Sequence, residues 1–136
     1  MKIEVGYPPN IEYIKQALPI NETVVFAYGD TIYNPHDLEI LPDIEAHEEV
    51  HQKQQGIDPQ GWWLRYLTDP QFRLDQEIEA FGVQFAYVRA RIKDKNLLYR
   101  YLFGIAINLS SSIYGNLISH AQAESKIRNH AKTLLP

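Results

Sequence analysis

Residues 43–56 read Asp43-Ile44-Glu45-Ala46-His47-Glu48-Glu49-Val50-His51-Gln52-Lys53-Gln54-Gln55-Gly56. Pro42-Asp43 in front and Gly56 behind are helix start and stop signals, with Asp43 as the expected N-cap and Gly56 as the C-cap. Between them the spacing predicts a helix of about three turns over Ile44–Gln55. Residues four apart lie above one another on a helix, so His47 and His51 share a face. Asp43, Ile44, Ala46, Val50 and Gln54 fall on that side as well. Glu45, Glu49, Gln52 and Lys53 fall on the other. The two histidines therefore face the core. The H-E-x-x-H pattern places two imidazole nitrogens where one Zn²⁺ can take both. Glu48 projects about 100° away from His47, beside the metal position, where its carboxylate can take a proton from water. Two hydrogen-bonded core histidines are the plainer explanation that the motif must beat.

The rest of the chain sets the frame. A length of 136 residues suits one domain, 1–136, with a sizeable core. The net charge of −4 with a pI near 5.7 argues against a nucleic-acid partner. The basic cluster Arg89, Arg91, Lys93 and Lys95 reads as a solvated helix end. No cysteine is present, so any metal must use His, Asp or Glu. The N-terminal MKIEVGYPPN lacks the apolar run of a signal peptide, and the longest apolar stretch, Leu97–Leu109, is too short to span a bilayer. A cytoplasmic protein without a membrane partner is expected, and its oligomeric state stays open.

Residues 1–40 read as β-rich, and nearly everything after Asp43 as helical. Lys2–Val5 alternates like a strand, and Asn10–Leu18 has helical spacing. Thr23–Tyr28 and Thr31–Tyr33 flank a Gly29-Asp30 hairpin turn. Helices are predicted over Pro59–Leu67, from Asp69-Pro70 to about Asp94, over Asn96–Asn108, and over Ser119–Leu134 with Ser119 and Gln122 as a capping box. Ser110–Asn116 breaks the last two apart. The expected fold class is α+β, mostly helical, with a small N-terminal hairpin or sheet against the motif helix.

A catalytic zinc takes three protein ligands and keeps one position open. On the long helix the apolar stripe is Leu74, Ile78, Phe81, Phe85, Val88 and Ile92. Glu77 projects at its margin, whereas Asp75 and Glu79 lie off it. Glu77 is therefore the expected third ligand, ahead of Glu79 and of Glu124 on the last helix; otherwise it is a surface carboxylate paired with Arg73. For the developing oxyanion the candidates are Tyr114, in the Ser-rich break, and His120 and His36. His120 and His36 have simpler readings as a buried and a loop histidine, and His130 looks exposed with no role. Trp62, Trp63, Tyr66 and Phe72 either line a specificity pocket or pack as core.

H-E-x-x-H followed by Glu77-Ile78-Glu79-Ala80 resembles the gluzincin branch of zinc metallopeptidases. The resemblance implies a zincin-like fold, zinc bound by His47, His51 and Glu77, Glu48 as general base, and a sheet edge that holds an extended peptide or protein substrate. The Thr23–Tyr33 hairpin is the candidate edge. Most of the chain is also similar to small uncharacterised metallopeptidase-like proteins of tailed phages, through Gly6-Tyr7-Pro8-Pro9, HEEVHQKQQG and WWLRYLTDPQFRLDQEIEAF. That similarity would place it in a host cytoplasm. Many gluzincins carry an acidic or amide support residue four after the glutamate ligand. Here that position is Phe81, so support must come from elsewhere. Gln54 and Ile57 stand where metzincins have a glycine and a third histidine, which excludes that branch. The expected function is a zinc-dependent hydrolase, a peptidase cleaving an amide bond. The alternative is a catalytically silent, zinc-stabilised structural or interaction protein.

Overall fold

The computed structural model describes residues 1–134. It has the expected α+β class, with six helices and a three-stranded sheet near the N-terminus. The elements run β1 (Lys2–Glu4), α1 (Ile11–Ala17), β2 (Phe26–Tyr28), β3 (Thr31–Tyr33), α2 (Pro42–Gln55), α3 (Pro59–Thr68), α4 (Pro70–Arg89), α5 (Lys95–Leu109), a 3-10 turn at Ser112–Tyr114, and α6 (His120–Thr133).

The sheet order is β1-β3-β2. The hairpin turns at Gly29, where φ is +61°, and β1 joins parallel to β3 in the register Ile3–Ile32. The first arm of the hairpin is shorter than its β-branched run predicts. Asn21 holds Thr23 in a local turn through its backbone N–H, and pairing starts only at Phe26. That is the competition that polar side chains offer to a ladder.

The starts of α3, α4, α5 and α6 follow capping chemistry, and those of α1, at Asn10, and α2 do not. Asp58, Asp69, Asp94 and the Ser119–Gln122 box each accept from first-turn N–H groups. Asp43 does not cap α2. The helix begins one residue earlier at Pro42, the N-cap is Leu41 without a side-chain bond, and the Asp43 carboxylate turns inward instead. The long helix also stops at Arg89, short of Asp94, because Asp94 caps the next helix.

Two cores flank α2. One joins α4, α5 and α6 through Leu74, Phe81, Phe85, Leu102, Leu109 and Ile127. The other joins α1, β2 and α3 through Ile14, Leu18, Phe26, Trp62, Trp63 and Tyr66. The α4–α6 approach depends on Gly82, since a Cβ there would collide with the His130 ring. His130 is accordingly half-buried, contrary to the exposed position read from the sequence.

Gln55, the last residue of α2, fastens the sheet to the helix. Its amide donates to the Ala27 carbonyl at 2.7 Å and accepts from the Gly29 N–H at 2.8 Å. Trp63 Nε1 donates to the same carbonyl at 3.0 Å. Gln55→Ala removes both amide bonds and strands the Gly29 N–H. The expected loss is about 2–3 kcal/mol of unfolding free energy in urea melts.

Candidate metal centre

α2 and α4 cross so that His47, His51 and Glu77 bring one ligand atom each to a common point. The His47 and His51 Nε2 atoms are 3.2 Å apart, and they lie 3.2 Å from Glu77 Oε1 and Oε2 respectively. All three residues are buried, and together they form a group able to hold a metal ion. A tetrahedral zinc with bonds of about 2.0–2.1 Å would separate its ligand atoms by about 3.3 Å, close to each of these separations, which involve both oxygens of the carboxylate.

The surrounding hydrogen bonds decide what those atoms offer. A carboxylate only accepts, so the order of donors can be followed inward from one. Tyr101 donates to Asp43. Gln84 Nε2 donates to the Tyr101 oxygen at 2.8 Å, which leaves Gln84 Oε1 facing His47 Nδ1 at 2.8 Å. His47 must therefore donate from Nδ1 and present Nε2. The second chain is parallel in logic. Gln54 Nε2 donates to Glu79 at 2.8 Å and to the Gln76 carbonyl at 3.0 Å, so its Oε1 takes the His51 Nδ1–H at 2.8 Å. Both Nε2 atoms point at Glu77. Glu77 Oε2 accepts from the Tyr66 hydroxyl at 2.6 Å, while buried Oε1 has no donor at all. A buried, unpartnered carboxylate oxygen beside two imidazole nitrogens fits a cation.

The charges of these side chains depend strongly on one another. Burial disfavours the charged form of Glu77, but His51 and His47 outweigh it and hold the carboxyl well below its usual range. Burial likewise pushes His51 down, yet the charge and hydrogen bond of Glu77 carry it up to about 9. A proton on His51 is therefore the competitor that a metal ion would meet here. Burial raises the Glu48 carboxyl; the two histidines pull it down and Glu77 pushes it up, for a net rise. Among the described residues Glu48 makes no side-chain hydrogen bond.

The ligands and Glu48 open onto a cavity of about 160 Å³. Its walls come from α1, the 23–27 segment, α3 and the 112–114 turn. Tyr114 reaches this cavity and packs edge-on against Phe81. Arg73 does not pair with Glu77. It clamps the Tyr114 carbonyl at 2.9 Å and the Tyr66 carbonyl at 2.7 Å, holding the turn in place. Gly115, at φ +95°, lets that guanidinium approach.

No family model matches the chain. No curated protein and no solved structure matches it either. The site therefore stands on its own residues.

Sequence reading and structure part at several positions. His47, Glu48, His51, Glu77 and Tyr114 come together. His120 does not: its Nε2 pairs with Glu124 at 2.9 Å, its ring lies on Phe103, and it is not among the cavity walls. That same contact occupies Glu124. His36 is exposed, against Tyr7. Glu79 stands behind Gln54 as an acceptor. Trp62, Trp63 and Tyr66 belong both to the second core and to the cavity wall, whereas Phe72 packs against that core under Arg65, away from the cavity. The hairpin borders the cavity, but the Ala27 carbonyl already holds two donors and is not free to pair with a substrate strand. Gln84, Tyr101 and Asp43 had no expected role at the site. Gln84 carried a signal: it lies seven residues after Glu77 on the same stripe, a polar residue between Phe81 and Phe85.

Two outcomes follow from this geometry. Gln84→Leu should weaken zinc binding about 10–100-fold in competition with a chelating dye, while Gln84→Glu, which keeps the acceptor for Nδ1–H, loses less. The second concerns pH. His51 has a raised folded value, so in chelator its pairing contributes stability fully below its ordinary 6.5, and this is lost as pH rises through about 9. Zinc must displace that proton, so apparent affinity should climb up to about tenfold per pH unit toward pH 9, with about one proton released near pH 7. Calorimetry in buffers of different ionisation heat checks the release. Melting temperature should fall from pH 6 to 9 in chelator, and fall less or rise with zinc.

Proposed function

We propose that this protein is a zinc-dependent hydrolase acting on an amide bond, a peptidase in the broad sense. The observation that carries the reading is Glu48: a buried carboxyl with no side-chain partner, at the mouth of a three-ligand centre and open to the same cavity. When bound at His47, His51 and Glu77, zinc supplies a Lewis acid for the carbonyl and lowers the pKa of water to roughly 7. Glu48 takes the proton of the attacking water and delivers it to the leaving amine. The raised affinity of this carboxyl for protons suits both halves of that transfer. Tyr114 offers a hydroxyl to the developing oxyanion. Burial, then the charges of Glu77 and Glu48, keep that hydroxyl protonated. Tyr66 is kept protonated in the same way and holds the Glu77 carboxylate in register.

A second reading is favoured by the depth of the ligands. A zinc joining α2 to α4 could act as a staple without turnover. A staple has no use for a carboxyl facing the cavity beside the ligands, whose charged form burial disfavours.

The two readings separate in Glu48→Gln. The zinc-loaded wild type, incubated with a degenerate peptide library, should generate new termini by mass spectrometry. In Glu48→Gln the rate should fall by roughly 10²–10⁴ with zinc content unchanged. The variant should also melt higher, because a carboxyl with a raised pKa is a burden at neutral pH. Equal hydrolysis in the variant contradicts the mechanism. A wild type that holds zinc, loses stability on its removal and cleaves nothing supports the staple.

A further inference from the structure

Charge is divided along this chain far more sharply than its net value suggests. Residues 1–88 contain 5 Lys or Arg against 15 Asp or Glu, and residues 89–136 contain 8 against 2, so the first stretch carries a net −10 and the second a net +6. The basic portion begins at the α4–α5 turn, with Arg91, Lys93 and Lys95 all exposed, and continues with Arg100 on α5 and Arg128 and Lys132 on α6.

The same region exposes large apolar side chains. α5 buries Leu102, Ile105, Ala106 and Leu109 on its inner arc. Its outer arc shows Leu97, Tyr99, Phe103 and Ile107, each between 43% and 53% exposed. Arg100 lies among them, and nothing stands within 4 Å of where a Gly104 Cβ would be. On α6 the row His120, Glu124, Arg128, Lys132 repeats every four residues. Its first member packs its ring 4.4 Å from that of Phe103, so the row borders the apolar arc.

We infer that the outward face of α5, with the basic α4–α5 turn and the Arg128–Lys132 row of α6, docks on an anionic lipid bilayer. Aromatic and aliphatic side chains rimmed by Lys and Arg match the boundary between acyl chains and acidic headgroups. No helix among the described residues is long and apolar enough to cross a membrane, so the face lies on the surface. A second copy is the poorer partner, because two such faces would oppose like charges. A nucleic acid would pair with the cations but offers nothing to Leu97 and Ile107. The basic cluster that reads in the sequence as a solvated helix end thus gains a ligand. Asn108, exposed at the end of the same helix, also lines the metal-site cavity, which sets the cavity at the rim of the docking face. The inference is independent of the hydrolytic chemistry proposed above.

Flotation of the zinc-loaded full chain with vesicles tests it. Vesicles of phosphatidylcholine with about one-third phosphatidylserine should carry the protein, and pure phosphatidylcholine should not. High salt should release it. Lys93→Glu with Lys95→Glu should cut partitioning by at least about 25-fold, and Phe103→Ser with Ile107→Ser by at least about tenfold, both with unchanged zinc content and circular dichroism. The charge variant sits on an exposed turn and keeps the test valid should the apolar variant misfold. Absence of flotation with anionic vesicles at low salt overturns the inference. So does undiminished binding by either folded variant, or binding to duplex DNA with none to vesicles.

Discussion

Two imidazole nitrogens 3.2 Å apart, each 3.2 Å from one oxygen of the same buried carboxylate, favour a positive charge among them. The rest of the molecule is arranged around that constraint. α2 supplies the histidines at one-turn spacing and α4 supplies the carboxylate. Each histidine also seals against a different core, His47 on Phe81 at 4.5 Å and His51 on Trp62 at 5.2 Å. The site is therefore the seam of the fold, and its ligands are held by packing on both sides.

Packing alone does not make a ligand; the lone pair must face the right way. Here two glutamines do what carboxylates or backbone carbonyls often do around metal-bound histidines. Gln84 and Gln54 each turn an oxygen to an Nδ1–H because their nitrogens are already committed, to Tyr101 and to Glu79 and Gln76. The negative charges of Asp43 and Glu79 sit one residue further out than a direct carboxylate–histidine contact would place them. This keeps neutral groups against the imidazoles and leaves Glu77 and Glu48 as the near anions. Glu48, without a side-chain hydrogen bond among the described residues, has its carboxyl raised by burial and opens onto the same cavity.

Much of the site was legible because helix periodicity is strict. The four-residue spacing of His47 and His51 and the marginal position of Glu77 on the α4 stripe both follow from 3.6 residues per turn. The fold class was legible for the same reason, as were the caps at Asp69 and Ser119. What failed depended on contacts between elements. Asp43 looks like an N-cap in isolation, but Tyr101, fifty-eight residues away, recruits it. His120 lies on an apolar-looking stripe, yet the nearest carboxylate, Glu124, sits one turn along its own helix. The parallel pairing of β1 with β3 has no local signal in a three-residue strand.

The central claim is that His47, His51 and Glu77 hold a metal ion. Elemental analysis of the wild type and Glu77→Ala, purified side by side without chelator, tests it most directly. About one zinc per chain in the wild type, lost or greatly weakened in Glu77→Ala, is the predicted result. No metal in the wild type even after dialysis against zinc, or equal zinc in both proteins, would contradict it.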